Sequence, residues 1–170
     1  FLLNSIEPAV LLDRYDETNA GVDGVWRFGV GLSSPGSLDF FLNDGDTSSG
    51  YNGRLHIASA GGVVAFDGLF HHYAAVVNLA ETSMAQKVKL YIDGRLVSST
   101  VVHDDGISTY RRFRTESDIP VLAGARRIPT GTMDVIPGRI DEVRITAGTL
   151  SPKQFLTGPD GTAIRDWSLY

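Results

Sequence analysis

Alternating apolar and polar residues mark two neighbouring segments of the chain as half-buried β-strands. Apolar side chains occupy every second position from Trp26 to Leu32, and a similar alternation runs from Leu38 to Leu42. Because successive side chains of a strand point to opposite faces, this period of two predicts strands that bury one face. The intervening Ser33-Ser34-Pro35-Gly36 stretch is rich in turn-forming residues. The two strands are therefore predicted to form a hairpin.

A second hairpin is predicted around Asp93-Gly94, which separates two apolar runs. An Asp-Gly pair suits a two-residue turn in which both central residues need a positive φ. Such a turn also determines the register of the strands that it joins. We expect Leu90 to lie opposite Val97 on one face of the hairpin, and Tyr91 to lie opposite Leu96 on the other.

One segment near the end of the chain is predicted to be helical. Ser151 suits the N-cap, Pro152 suits the first helical position, and Gln154 is placed to complete a capping box. Phe155 and Leu156 would form the apolar face. The predicted helix is short, about one or two turns in length.

Length and composition favour one domain over residues 1–170. The chain of 170 residues is 42% hydrophobic, and its 19 glycines and 7 prolines are spread along the sequence, as in many short strands joined by turns. A net charge of −5 disfavours nucleic acid as a partner. No apolar run approaches the ~20 residues of a membrane-spanning helix, so membrane insertion is not expected. The absence of cysteine excludes disulfides, thiolate metal sites and cysteine nucleophiles.

Several short motifs together resemble one family. The first two are the paired histidines His71-His72, which precede an apolar run, and the Asp-Gly hairpin from Leu90 to Gly94. The other two are the Ile-Asp-Glu-Val-Arg-Ile segment from Ile140 to Ile145 and the Leu-Ser-Pro tripeptide from Leu150 to Pro152. They resemble the laminin G-like, concanavalin A-like lectin/glucanase jelly-roll family. The resemblance implies an all-β, two-sheet antiparallel β-sandwich with one short C-terminal helix. Relatives usually have one or two strands before the position of Phe1, so the domain is expected to lack its first strand or to be excised from a larger protein.

The resemblance leaves several functions open, because the family uses one sandwich for adhesion, sugar binding and sugar cleavage. Our prediction is a non-catalytic recognition module that binds carbohydrate, extracellular or at the cell surface as part of a larger secreted protein. One alternative is a protein-adhesion or spacer domain of a larger surface protein. A second alternative is a polysaccharide-degrading enzyme with an unrecognised site.

Catalytic motifs are incomplete in this sequence. Family glycosidases place three acidic residues on one strand as Glu-x-Asp-x-x-Glu, but Val121 replaces the last Glu of the motif that begins at Glu116. The adjacent Asp141 and Glu142 would point to opposite faces of a strand, so they could not flank one glycosidic bond. We therefore predict that the domain is not an enzyme.

Sugar recognition needs flat apolar side chains that stack on C–H surfaces and planar polar groups that bond paired hydroxyls. Loop tyrosines supply the first kind of group and arginines supply the second, while one of the paired histidines is expected to face solvent or ligand and the other to bond inside the sandwich. The alternative for the arginines is pairing with nearby acidic residues on a solvated strand. The predicted ligand-binding residues are Tyr51, His71, Tyr110, Arg112 and Arg127.

A structural calcium ion is the one cofactor that the resemblance implies. Hard cations take carboxylate and carbonyl oxygens from loops, and the chain has many acidic loops. Asp141 is the first candidate as its ligand, by the same resemblance. The alternative is that Asp141 and Arg144 make ordinary hydrogen bonds that hold the last strand.

Overall fold

The computed structural model describes residues 1–3, 8–16, 23–43, 54–104, 120–127 and 133–155. Strands dominate these residues. In chain order the elements are β1 (Leu2–Leu3), β2 (Ala9–Asp16), β3 (Asp23–Val30), β4 (Leu38–Asn43), β5 (Arg54–Ser59), β6 (Tyr73–Val77), α1 (Met84–Lys87), β7 (Val88–Ile92), β8 (Arg95–Val97), β9 (Ser99–Asp104), β10 (Leu122–Ala123), β11 (Ala125–Arg127), β12 (Met133–Val135), β13 (Gly138–Arg139) and α2 (Pro152–Phe155).

The larger sheet follows the order β12-β11-β2-β3-β4-β5-β9, with β10 also paired to β2. Its strand pairs are antiparallel apart from one parallel contact between β11 and β2. β3 and β4 form the first predicted hairpin, in which Phe28 lies opposite Phe40 and Val30 lies opposite Leu38. The alternation in the sequence therefore predicted this part of the sheet correctly.

The smaller sheet has the order β6-β7-β8 and contains the second predicted hairpin. Both turn residues have a positive φ, at 51° for Asp93 and 73° for Gly94. Leu90 lies opposite Val97, and Tyr91 lies opposite Leu96. The turn type and the register are both confirmed.

The core lies between the two sheets and consists of aliphatic and aromatic side chains. The larger sheet contributes fully buried residues such as Leu42 and Ile57, and the smaller sheet contributes Val88 and Leu90. A two-stranded pair of β1 and β13 lies beside them. This arrangement confirms the two-sheet antiparallel sandwich.

The helices differ slightly from expectation. α2 begins at Pro152 as predicted, and the Ser151 N–H donates to Oε1 of Gln154 at 2.8 Å, which is one half of the capping box. α1 is an additional short helix between β6 and β7 that the apolar pattern did not predict. Within the part of the chain described here, no helix is long and apolar enough to cross a membrane.

The segment after β13 also differs from expectation. It was predicted to be the last strand, but its residues 141–147 carry no strand assignment and are exposed. The segment has no ladder partner among the described residues, since β6 pairs with β7 and β13 pairs with β1.

Candidate functional site

A polar cluster at one end of the sandwich contains His71 between two carboxylates. Its Nδ1 lies 2.8 Å from Oδ2 of Asp93, and its Nε2 lies 3.1 Å from Oδ1 of Asp67. The two carboxylate side chains are 50% and 44% exposed, whereas the imidazole is only 16% exposed. We call Asp67, His71 and Asp93 the rim cluster.

The geometry of two turns places the carboxylates of Asp67 and Asp93 in the rim cluster. Asp67 begins an Asp-Gly turn, and its Oδ1 accepts a hydrogen bond from the Leu69 N–H at 2.9 Å. Asp93 is the first central residue of the β7–β8 turn, and its Oδ1 accepts from the His72 N–H at 2.9 Å. The Asp93 N–H donates in turn to the His72 carbonyl at 2.8 Å. The paired histidines and the Asp-Gly turn are therefore one hydrogen-bonded unit.

The electrostatics of the rim cluster favour a protonated imidazole. Partial burial lowers the pKa of His71, but hydrogen bonds with Asp93 and Asp67 outweigh it and raise that pKa above its ordinary value. The hydrogen bond from the Leu69 N–H, helped by His71, lowers the pKa of Asp67. Only the imidazolium form donates from both ring nitrogens at once, and a carboxylate acceptor lies beside each of them.

His72 lies in a different environment from its neighbour. Its ring stacks on Phe155 of α2, with ring centroids 5.7 Å apart, and Phe155 also contacts Tyr91. Tyr91 points away from the face that carries Leu90, so His72 is half-buried beneath α2 and does not lie between the sheets. Burial lowers the pKa of His72. The sequence analysis expected one of the two histidines to bond inside the sandwich, and this is wrong for His72, which lies on the outer face of the smaller sheet.

These opposite environments predict opposite titrations. In a pH titration followed by NMR of the imidazole Cε1–H signals, we expect His71 to titrate above the ordinary value of about 6.5 and His72 below it. The ion-pair contribution of His71 is then complete below that value and is lost as the pH rises through the pKa of the folded protein. Asp93→Asn should move the His71 midpoint downward. Coincident midpoints for the two histidines would contradict the assignment.

The structure gives less information about the other four predicted ligand-binding residues. Tyr51, Tyr110 and Arg112 lie outside the described residues. Arg127 belongs to β11, where its backbone pairs with Asp16 and Met133. Their roles in binding stay predictions, and His71 is the predicted residue whose side-chain contacts the structure describes. The sequence analysis did not predict Asp67 or Asp93 as site residues, although both Asp-Gly pairs can be recognised in the sequence as turns.

The predicted calcium ligand Asp141 is exposed beside the small cavity at Phe1. Across the described ranges, no group of three or more His, Asp and Glu side chains is arranged to hold a metal ion. The role of Asp141 stays a prediction.

A second polar cluster is buried on the outer face of the larger sheet. Oδ1 of Asp39 lies 2.8 Å from Nε2 of His56, and Oδ2 accepts from the Ser37 hydroxyl and from the Leu32 N–H. Burial alone would raise the pKa of Asp39, but the hydrogen bonds from His56 and Ser37 outweigh it and lower that pKa.

This buried cluster contains a serine, a histidine and an aspartate but is not arranged as a catalytic triad. A nucleophilic serine must bond to the histidine, which in turn bonds to the aspartate. Here the Ser37 hydroxyl and the His56 ring bond to opposite oxygens of Asp39. None of the three residues is more than 6% exposed. Their arrangement is that of a structural hydrogen-bond network.

Comparison with protein families identifies the superfamily of this chain. The family model Laminin_G_3, described as the Concanavalin A-like lectin/glucanases superfamily, matches residues 7–154. A search of curated proteins and a search of solved structures each gave no match.

Proposed function

The chain belongs to the concanavalin A-like lectin/glucanases superfamily, and from this we propose that it is a non-catalytic carbohydrate-recognition module of an extracellular or cell-surface protein. Membership of this superfamily fits a ligand-binding module. The observation that carries the proposal is the rim cluster, whose two half-exposed carboxylates are held in fixed orientations by His71.

The chemistry of the rim cluster suits sugar hydroxyls. An ionised carboxylate accepts through about four lone-pair positions, and those not used inside the cluster are available to solvent or ligand. Hydrogen bonds to charged acceptors are stronger than neutral ones. Leu69, beside the cluster, is 62% exposed and offers an apolar contact for the C–H surface of a sugar ring. Fixed polar groups next to an apolar contact are a common arrangement for small polar ligands.

The same geometry argues against glycoside hydrolysis at this cluster. Two catalytic carboxylates must flank the glycosidic bond that they cleave. Here the imidazole ring of His71 occupies the space between Asp67 and Asp93 and bonds to both. A sugar can therefore contact the outer sides of the carboxylates but cannot lie between them.

Removal of one carboxylate charge should weaken sugar binding without changing the shape of the site. For Asp67→Asn we expect at least about tenfold weaker binding to whichever glycan a screen identifies, since a hydrogen bond to a charged group contributes about 1.5–3 kcal/mol. Isothermal titration calorimetry measures the effect. Asp104→Asn, on the exposed β9, is the matched control. Equal affinity in both variants would contradict a ligand site at the rim cluster.

A chelator arm of the same screen addresses calcium. If the predicted calcium ion braces the ligand loops, EDTA should weaken glycan binding and Asp141→Asn should have the same effect. Binding that is unchanged by EDTA would exclude the ion from recognition and would leave the rim-cluster proposal intact.

Protein adhesion is the second candidate function, and exposed apolar residues favour it. Leu96 on β8 is 63% exposed and Val102 on β9 is 51% exposed. Within the described residues, β8 and β9 are the terminal strands of their sheets. Exposed apolar residues on edge strands can add to a strand of another protein. A screen without any glycan hit would favour this candidate.

A further inference from the structure

The rim cluster places one titratable ring between the two carboxylates that a ligand can contact. The side chains of Asp67 and Asp93 are 44% and 50% exposed, whereas the His71 side chain is 16% exposed. A ligand on the outer side of the cluster therefore meets the carboxylates and is separated from most of the imidazole ring. The proton of His71 acts on such a ligand mainly through the orientation of the carboxylates.

The proton on Nε2 of His71 holds the Asp67 side chain against the ring. Nε2 lies 3.1 Å from Oδ1 and 3.3 Å from Oδ2 of Asp67. When Nε2 loses its proton, it presents a lone pair to both carboxylate oxygens, and two acceptors that face each other repel. The hydrogen bond from the Leu69 N–H to Oδ1, at 2.9 Å, then remains to anchor the carboxylate, which is free to turn away from the ring.

Asp93 depends less on the protonation state of the ring. Its Oδ2 lies 2.8 Å from Nδ1 of His71, and its Oδ1 accepts from the His72 N–H at 2.9 Å. A neutral imidazole carries one N–H. Because the contact of Nδ1 with Asp93 is the shorter of the two, we expect this proton to stay on Nδ1. Deprotonation therefore releases Asp67 and leaves Asp93 in place.

We propose that His71 is a positioning residue for Asp67, so that the protein binds its sugar while this imidazole is protonated and releases the sugar when the imidazole is neutral. The inference rests on the proposed function, because it concerns the regulation of the same ligand site. It makes the binding of a neutral sugar dependent on pH.

The direction of the pH dependence follows from the two pKa shifts. Burial lowers the pKa of His71, but the hydrogen bonds with Asp93 and Asp67 outweigh it and raise that pKa. The hydrogen bonds from the Leu69 N–H and from His71 lower the pKa of Asp67. The ionised carboxylate and the imidazolium therefore coexist between the lowered pKa of Asp67 and the raised pKa of His71. The affinity for sugar should fall as the pH rises through the pKa of His71.

Other charged and titratable groups lie around the imidazole. Besides Asp67 and Asp93, the residues with such groups are Asp141, Glu142, Arg144, His72 and Tyr73. The amine of Phe1 donates to the backbone carbonyl of His71 at 2.9 Å, and burial lowers the pKa of this amine. The amine is therefore a second group that can titrate at the pH values of a binding experiment. A test must separate it from the ring of His71.

The pH dependence of binding to neutral sugars tests the proposal. The probes are cello-, laminari-, malto-, manno- and xylohexaose, which carry no titratable group, and EDTA is present throughout. Isothermal titration calorimetry gives the dissociation constant at about pH 5.5 and about pH 9, on either side of the ordinary pKa of histidine. For the parent protein we expect at least about tenfold weaker binding at the higher pH, comparable with the loss of one hydrogen bond to a charged group.

Two variants separate the imidazole of His71 from the other titrating groups. His71→Gln can donate an amide N–H to Asp67 but does not titrate, so its affinity should be the same at both pH values. It retains the Phe1 amine, and a pH dependence that survives in this variant would assign the effect to the amine and overturn the proposal. His103→Gln removes a histidine on β9 of the larger sheet and is the matched control. It should keep the pH dependence of the parent protein.

NMR of the parent protein gives a second measurement that needs no variant. The amide signal of Leu69, which donates to Asp67, should shift with the same midpoint as the His71 imidazole. Binding and protonation are reciprocal, so saturation with the hexasaccharide should raise the His71 midpoint. A tenfold change in affinity corresponds to a rise of about one pH unit. A Leu69 amide signal that does not follow the His71 titration would overturn the proposal.

The outcomes distinguish this inference from the function on which it rests. If none of the hexasaccharides binds at about pH 5.5, below the ordinary pKa of histidine, the proposed function is contradicted and this inference is overturned with it. Binding of equal strength at both pH values would overturn this inference alone and would leave the rim cluster as a ligand site. A His71 midpoint that does not change on saturation would have the same meaning.

Discussion

Replacement of Asp39 by alanine is expected to destabilise the folded protein by about 3–5 kcal/mol, because each buried donor left without its acceptor costs about 1–3 kcal/mol. Asp39 is fully buried, and its carboxylate accepts hydrogen bonds from His56, Ser37 and Leu32. The variant leaves all three donors buried without their acceptor. Urea unfolding followed by circular dichroism measures the free energy of unfolding.

Asp104→Ala is the control for this experiment, because Asp104 is exposed on β9. It should change the free energy of unfolding by less than about 0.5 kcal/mol, as is usual for surface substitutions. A loss below about 1 kcal/mol for Asp39→Ala, within the range of one ordinary hydrogen bond, would show that the network is not needed for stability.

The same carboxylate sets a pH dependence. Its pKa is lower in the folded protein than in the unfolded chain. The stabilisation that it provides is therefore complete above the ordinary pKa of aspartate and is lost as the pH falls through the lower pKa of the folded state. Asp39→Ala should accordingly lose stability less steeply than the parent protein in acid.

Replacement of Lys87 by methionine is expected to cost about 2 kcal/mol, because its ammonium group satisfies two part-buried carbonyls and a buried acceptor left unsatisfied costs about 1–3 kcal/mol. Lys87 is only 4% exposed, and its Nζ donates to the carbonyls of Leu79, at 2.7 Å, and Glu81. Methionine preserves the apolar stem but leaves both carbonyls without this donor. Lys89→Met, at an exposed position on β7, is the matched control. Equal losses in the two variants, measured by urea unfolding, would contradict this role of the ammonium group.

Local patterns predicted the parts of the fold that depend on neighbouring residues. The β7–β8 turn and its register follow from Asp93-Gly94, because a two-residue turn leaves one way to pair the strands that it joins. α2 was predictable from the capping residues Ser151 and Gln154. In contrast, the position of β1 between His71 and β13 depends on residues far apart in sequence, and no local pattern encodes it.

In the polar clusters, too, the sequence predicted single residues but not the contacts between residues far apart in the chain. His71 was predicted as a site residue because one of the paired histidines was expected to face solvent or ligand, but its partner Asp93 lies 22 positions away. The backbone conformation of an Asp-Gly turn is by itself a sufficient reason for an aspartate at that position. The sequence therefore does not indicate that the Asp93 carboxylate also bonds to His71. Asp39 follows the alternation of β4 as an outward residue, which predicts exposure. Instead, pairing with His56 on β5 allows it to be buried.

The rim cluster also has a consequence for the order of folding. The β7–β8 hairpin joins residues that are close in sequence, and such hairpins form in about 1–10 μs. The Asp93 carboxylate is then in position before the histidines reach it. The contact of β1 with β13 instead closes a very long loop, and its entropic cost is repaid only after both sheets exist. We therefore expect the hairpin to be an early nucleus and β1 to dock among the last elements.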